Sequence, residues 1–403
     1  MSKKNDDFFK IKKSWSEVKD QLLGCYFKPY VQKILHTRRP LIYVDCFAGK
    51  GRFDDGNPGS PLIALDIIRD CLASTTMIKP QIRTSFIDLN YADDLHTNLQ
   101  GYSGVNIISG KYEDHIMDLL DGSRDCNVFL YIDPYGIKAL QSSLFDMLAN
   151  APFYSIELLI NLNSFGFIRE ACHAMEVQFK LDDSTLFDDV VEYDATKLPA
   201  SDKSIQDLNE IAGGDYWQRI ILDYKEENIN GYEAEERFAK QYCQRLARSY
   251  NYVLNMPIRI RRGQRPKYRM IHATNHPDGC LLMADNILNR WEAWQNVQNS
   301  GQLFLFQEDV NNQSIDEDDI RQKVIKHYSQ FLELTSLNES MAKFFMKYGL
   351  ICKTKIIKDV LKELEKEGKV NILREPAFTN TGRPSTFMDE ITNKKKVMLK
   401  IAQ

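Results

Sequence analysis

From residue 41 onward, short apolar runs alternate with longer segments whose apolar residues recur every three or four positions. Residues 41–47, 82–89, 105–109, 126–132 and 156–162 read as strands, and 61–72, 92–100, 113–120 and 140–148 as the helices between them. The run 41–47 is largely apolar. Strands separated by helices of this length predict crossover connections and a parallel sheet. Ahead of the first strand, Ser14-Trp-Ser-Glu17 has the spacing of a capping box. It should open a helix that meets Pro29, followed by a short second helix at 30–35. After Asn163 the alternation stops. Residues 165–247 read as helical, with an acidic stretch at 182–189 and a break at Gly213-Gly214. Residues 252–262 and 267–273 flank Gly263-Gln-Arg-Pro266 and predict a hairpin that adds antiparallel strands to the sheet edge.

The polar, acidic stretch 308–319 reads as the end of a linker. Three amphipathic helices are expected beyond it. The third begins near Thr354, carries Ile357, Val360, Leu361 and Leu364 on one face, and ends at Gly368. A strand at 370–373 and a turn at Asn380-Thr-Gly-Arg383 complete the order of a winged helix.

Composition narrows this picture in two ways. No apolar run approaches the roughly 18 residues of a membrane span, and the first residues, MSKKNDDFFKIKK, lack the apolar centre of a secretory signal. The eight cysteines include no two within four residues of one another, so no zinc-binding or redox pair can be written and no metal is expected. A reducing cytoplasm is the expected setting. The net charge of −4 hides an asymmetry: from Ile320 on there are 17 Lys and Arg against 9 Asp and Glu, whereas residues 1–319 carry 35 against 47. A basic C-terminal segment suits nucleic-acid contact and equally a solvated helical surface.

Three segments carry candidate chemistry. Asp45-Cys-Phe-Ala-Gly-Lys-Gly51 places closely spaced glycines at the end of the first strand, where backbone can approach a nucleotide-like ligand. The third glycine of a dinucleotide fingerprint is missing, which argues against NAD. Asp45, Phe47, Gly49 and Gly51 are the candidate binding residues, with Ser60 as N-cap of the next helix and Pro61 at its first position. Asp88, at the end of the second strand, is placed to accept both hydroxyls of a ribose. The fourth strand runs into Asp133-Pro134-Tyr135, a carboxylate and a carbonyl to accept from an amine and a ring to stack on its base; a plain strand-terminating turn would have the same residues. Arg259, Arg261, Arg262, Arg265 and Lys267 make the hairpin basic, which serves phosphate contact or edge protection equally well. His272 and His276 have metal-pair spacing but fall in a strand-to-loop segment, where a structural role is expected.

Taken together, Trp15-Ser-x-x-Lys19, Val44-Asp-Cys-Phe-Ala-Gly-Lys-Gly-Arg52, Gly59-Ser-Pro-Leu-Ile-Ala-Leu65, Ile132-Asp-Pro-Tyr-Gly136 and His272-Ala-Thr-Asn-His276 resemble the three-Cys-motif partner protein family over about residues 10–300. The wider resemblance is to class I S-adenosylmethionine-dependent methyltransferases. It implies a Rossmann-like α/β domain at 41–164 and 248–300, preceded by N-terminal helices (1–40) and interrupted by a helical insertion (165–247). A linker at 301–319 and a winged-helix-like domain at 320–403 complete the expected organisation. S-adenosylmethionine is the implied cofactor, with Asp45, Gly49 and Gly51 at its methionine end and Asp88 at its ribose. Asp133-Pro-Tyr135 is similar to the D/N-P-P-Y motif of enzymes that methylate amino groups of nucleic-acid bases, departing from it by the absent second proline. The other activity the resemblance allows is a binding protein without turnover that works with a three-cysteine-motif, radical-S-adenosylmethionine-like partner in phage defence or RNA modification.

Overall fold

The computed structural model describes residues 6–76, 78–180, 202–258, 268–297, 317–391 and 394–402. They fall into two units, Met1–Asn275 and His276–Val297 with Glu308–Gln403. In the first, helices α1 (Asp6–Phe9) and α2 (Ser14–Thr37) precede strand β1 (Leu41–Asp45). The alternation then runs α3 (Ser60–Ser74), β2 (Ile82–Asp88), α4 (Ala92–Asn98), β3 (Val105–Ser109), α5 (Tyr112–Leu119), β4 (Asn127–Ile132), α6 (Ser142–Asn150) and β5 (Ser155–Leu162). Helices α7 (Ser164–Ala174), α8 (Asp202–Ala212), α9 (Tyr216–Lys225) and α10 (Gly231–Leu246) lead to β6 (Tyr252–Ile258) and β7 (Tyr268–Thr274).

The seven strands form one sheet in the order β3-β2-β1-β4-β5-β7-β6. The first five are mutually parallel, and β7 runs antiparallel to both β5 and β6. Every residue of β1, β4 and β5 is buried, which accounts for their largely apolar character. The hairpin adds its two antiparallel strands at the β5 edge, with β7 against β5 and β6 outermost. Pro257 therefore lies on the edge strand, where a missing N–H is tolerated. The chain steps outward from β1 to β3 and returns to β4 on the other side, so strand order reverses between β1 and β4. In open α/β sheets a ligand binds beyond the strand ends at such a reversal. The seven-stranded mixed α/β architecture is consistent with a Rossmann-like methyltransferase fold.

One expectation fails instructively. Helix α2 does not break at Pro29 but continues for 24 residues, with Lys13 rather than Ser14 at its N-cap position. A proline inside a helix costs about 3 kcal/mol. Against that, Tyr26, Phe27, Tyr30 and Val31 around it are all at most 2% exposed. The three rings meet Tyr43 and Phe129 of the sheet at centroid distances of 4.7 to 6.0 Å. Each buried large side chain contributes roughly 1.5–3 kcal/mol, so packing outweighs the proline.

The second unit contains α11 (Pro277–Val297), α12 (Glu317–Tyr328), β8 (Thr335–Ser336), α13 (Leu337–Tyr348), α14 (Thr354–Lys366), β9 (Val370–Glu375) and β10 (Lys396–Ile401). Its three strands pair in the order β8-β10-β9, all antiparallel. Helix α11 belongs here and not to the preceding domain, as a boundary at 300 would have it. Its buried Cys280, Met283, Ala284 and Ile287 give it an apolar face, and it packs on α13 and α14. Asp285 accepts from the Thr354 N–H (2.9 Å) and hydroxyl (2.6 Å), and Asp278 accepts from Asn338 (2.7 Å). No helix among the described residues is long and apolar enough to cross a membrane.

Candidate functional site

The reversal between β1 and β4 brings together most of the expected site. Strand β1 ends in Asp45, which lies beside Tyr131 of β4, and Asp133 follows two residues later. Gly49 (φ 57°) and Gly51 (φ 77°) occupy the left-handed region that a side chain disfavours, and so bend the backbone sharply after β1. Asp88 closes that bend. Its carboxylate accepts from the N–H groups of Gly49 (2.9 Å), Asn90 (2.8 Å) and Tyr91 (2.9 Å). A carboxylate has about four lone-pair sites, so one remains. As arranged, Asp88 fastens the glycine turn and keeps acceptor capacity for a further donor.

Ser60 also departs from its expected role. Gly59 is the N-cap of α3, Ser60 the first helical residue and Pro61 the second. Ser60 stands near enough to Asp45 to favour its charged form. Asp45 is fully buried, accepts from the Phe47 N–H through Oδ1 (3.2 Å), and has no partner for Oδ2. Phe47 turns its ring toward Tyr112, 5.2 Å away between centroids.

Burial pushes the Asp45 carboxyl up to about 7 against the opposing influence of Ser60 and of the Phe47 N–H, with the charges of Asp133 and Asp20 adding to the rise. Burial likewise raises Asp20 to about 6, opposed by Lys12. The folded chain therefore holds protons that the unfolded chain releases, and stability from these groups falls as pH rises from about 4 to about 7, then levels off. Asp45→Asn should remove from that decline a total on the order of 4 kcal/mol. Urea unfolding at pH 4.5, 6 and 7.5 measures it, and an unchanged slope would show that Asp45 titrates normally.

Asp133 stands at the carboxyl end of β4 with Pro134 buried beside it and Tyr135 59% exposed. Its carboxylate is engaged by residues that the sequence reading did not single out. The Lys19 ammonium from α2 lies 2.8 Å from Oδ1 and 2.6 Å from Oδ2, and the Asn161 amide of β5 donates to Oδ1 at 2.7 Å. The Tyr268 ring, 5.7 Å from Lys19 Nζ, stands next to the pair. Asn161 Oδ1 is buried without a partner. A second ion pair, Lys12–Asp20 at 2.6 Å, lies on the same helix approach. Two signals in the sequence could have found these groups: Lys19 belongs to the Trp15-Ser-x-x-Lys19 motif, and Asn161 is a polar residue at the end of an otherwise apolar strand.

The N-terminal segment lies across the glycine turn. Phe9 packs against Tyr91 (4.9 Å between centroids) and Phe53 (5.7 Å), and its carbonyl accepts from the Asp54 N–H at 2.8 Å. A Cβ added to Gly49 would stand 2.8 Å from the Phe9 ring. Lys50 fastens the same corner through Asp6 (3.4 Å) and the Phe9 ring (5.4 Å).

Arg259, Arg261, Arg262, Arg265 and Lys267 fall outside the described residues, although Ile258 and Tyr268 on either side are described. His272 is fully buried, with Nε2 2.9 Å from Glu157, whose carboxylate also accepts from Tyr26. A cleft of about 410 Å³ is lined by residues that include Ser142, Asp146, Glu210 and Arg245, and contains none of the site residues above.

No protein-family model matches the chain, and no curated protein does. Among solved structures it is similar to several methyltransferases. The plantazolicin methyltransferase BamL, in complex with a substrate analogue and SAH, is 9% identical over 67% of this chain and 94% of its own, with a TM-score of 0.27. The cyclopropane synthase MmaA2 from Mycobacterium tuberculosis is 11% identical over 61% and 81%, with a TM-score of 0.27. Geranyl diphosphate C-methyltransferase from Streptomyces coelicolor A3(2), in complex with S-adenosyl-L-homocysteine, is 9% identical over 61% and 73%, with a TM-score of 0.23. Similarity at this level leaves the chemistry to be argued from the site itself.

Proposed function

We propose that this chain binds S-adenosylmethionine at the β1/β4 reversal and transfers its methyl group to an amino group of a nucleic-acid base. The observation that carries the reading is the meeting of a positive-φ glycine turn with Asp45, Asp88 and Asp133 at the carboxyl ends of three neighbouring strands. The residues fit such a ligand: Asp45 Oδ2 and Asn161 Oδ1 are buried acceptors without partners, and Asp88 keeps one lone pair. Phe9 must turn aside or stack alongside for a ligand to touch Gly49.

When bound, the cofactor supplies a methyl group made electrophilic by its sulfonium. The chain's task is then positioning. Gly49, Gly51, Asp45 and Asp88 hold the donor. Asp133 and the Pro134 carbonyl orient the acceptor amine, and Tyr135 stacks on its base. The basic segment 259–267 and the C-terminal unit, which we read as winged-helix-like from its three-stranded sheet and the exposed Lys355, Lys362 and Lys366 of α14, would hold the polynucleotide. Eight free cysteines suit a reducing cytoplasm.

The second reading, a methyltransferase-fold protein that docks a three-cysteine-motif partner without turnover, is favoured by the pairing of Asp133 with Lys19 and Asn161. Calorimetry with S-adenosylhomocysteine separates the readings in part: no heat at millimolar ligand removes the cofactor assignment. Where binding is seen, passage of a labelled methyl group to bulk RNA or DNA supports the enzyme, and none supports the docking protein.

A further inference from the structure

In an amine-methylating site the carboxylate after β4 would ordinarily wait for the target amine. Here it is already matched by an ammonium. Lys19 and Asp133 have side chains only 10% and 20% exposed, yet neither is sealed off. Lys19 and Asn161 fill both lone pairs of Asp133 Oδ1, and Lys19 takes one on Oδ2. One acceptor position on Oδ2 remains. The ammonium has three N–H groups, so at least one stays available beside it. The charge is also balanced: Lys19 offsets Asp133 and Lys12 offsets Asp20.

We propose that Lys19 is a specificity residue of the acceptor site, which with Asp133 selects an uncharged heterocyclic amine carrying a ring nitrogen next to it and rejects an alkylammonium. This rests on the methyltransferase reading above and narrows its substrate class. An exocyclic amine donates to the remaining lone pair of Asp133, while the adjacent ring nitrogen accepts from Lys19. That donor–acceptor pair is the edge shown by adenine or cytosine. An alkylammonium offers no acceptor to Lys19, meets a carboxylate whose charge is already offset, and is repelled by the ammonium a few ångströms away. Tyr268, half-buried and facing Lys19, limits the approach on one side. The buried, partnerless Asn161 Oδ1 adds an acceptor next to the same carboxylate. Lys19 is therefore a positioning residue acting with Asp133, not a proton donor in the transfer.

The test uses the full chain saturated with S-adenosylhomocysteine and titrates adenosine, cytidine, uridine and n-butylamine by calorimetry. Wild-type protein is expected to bind adenosine or cytidine at least ten times more tightly than uridine or n-butylamine. K19M should lose nucleoside affinity at least tenfold, keep cofactor affinity within twofold, and gain affinity for n-butylamine, because Asp133 is left without its counter-ion. A purely structural lysine would not lower nucleoside affinity while cofactor affinity stays within twofold. K19M/D133N restores charge balance and should recover melting temperature without recovering nucleoside binding, so misfolding cannot pass for loss of recognition. Nucleoside binding by K19M within twofold of wild type overturns the proposal, as does a wild-type preference for n-butylamine or no nucleoside binding at all. A chain that fails to bind S-adenosylhomocysteine fails one step earlier, and the methyltransferase reading falls with it.

Discussion

Asp133→Ala is expected to lower methyl transfer to bulk RNA or DNA by roughly a hundred- to a thousandfold, the usual loss when a group that orients the reacting atoms is removed. Cofactor affinity should change by less than about twofold, because Asp133 belongs to the acceptor side of the site; loss of both would assign it to the cofactor instead. A second effect accompanies the first. Removing the carboxylate leaves Lys19 without its counter-ion and strips Asn161 of its acceptor. Breaking a buried pair from one side costs about 3 kcal/mol, read as a lower urea midpoint. Asp133→Asn keeps the shape and an acceptor oxygen and should cost less than the alanine. If the alanine variant unfolds at the wild-type midpoint, the Lys19–Asp133 pair contributes nothing to the fold.

Gly49→Ala should weaken S-adenosylhomocysteine binding by at least about tenfold. At φ 57° a side chain costs about 1 kcal/mol, and the added Cβ would stand 2.8 Å from the Phe9 ring. The helix α1 segment has to shift, and with it the Gly49 N–H that Asp88 fixes. The matching variant Phe9→Ala removes the clash, so the double variant should recover part of the binding lost by Gly49→Ala alone. Additive losses in the two variants would mean that the ring and the glycine do not meet.

The sheet was legible because short strand-like runs alternate with helical segments along the chain, and 82–89, 105–109 and 126–132 lie within a residue or so of β2, β3 and β4. Helix α2 was not, because local chemistry at Pro29 argues for a break while the decisive contribution, its packing on Phe129 and Tyr43, is remote in sequence. Much the same division holds at the site. Asp45, Gly49, Gly51, Asp88 and Asp133 announce themselves by standing at strand ends. What their oxygens touch depends on residues far away along the chain: Lys19 is 114 positions from Asp133, and Asn161 is 28. Ser60 illustrates the limit at close range. A serine ahead of a helical run reads as its cap, yet the helix begins on that serine and Gly59 takes the N-cap position.

Helix α11 has a practical bearing on how the molecule can be divided. A chain cut at residue 300, where the polar linker begins, would keep α11 and discard the α13 and α14 surfaces that cover it. Cys280, Met283, Ala284 and Ile287, each at most 3% exposed in the whole chain, would then face water as one contiguous stripe. Such a fragment is prone to self-association whatever the quality of its sheet. The cut that follows the packing is after Asn275, so that each half keeps its own helices.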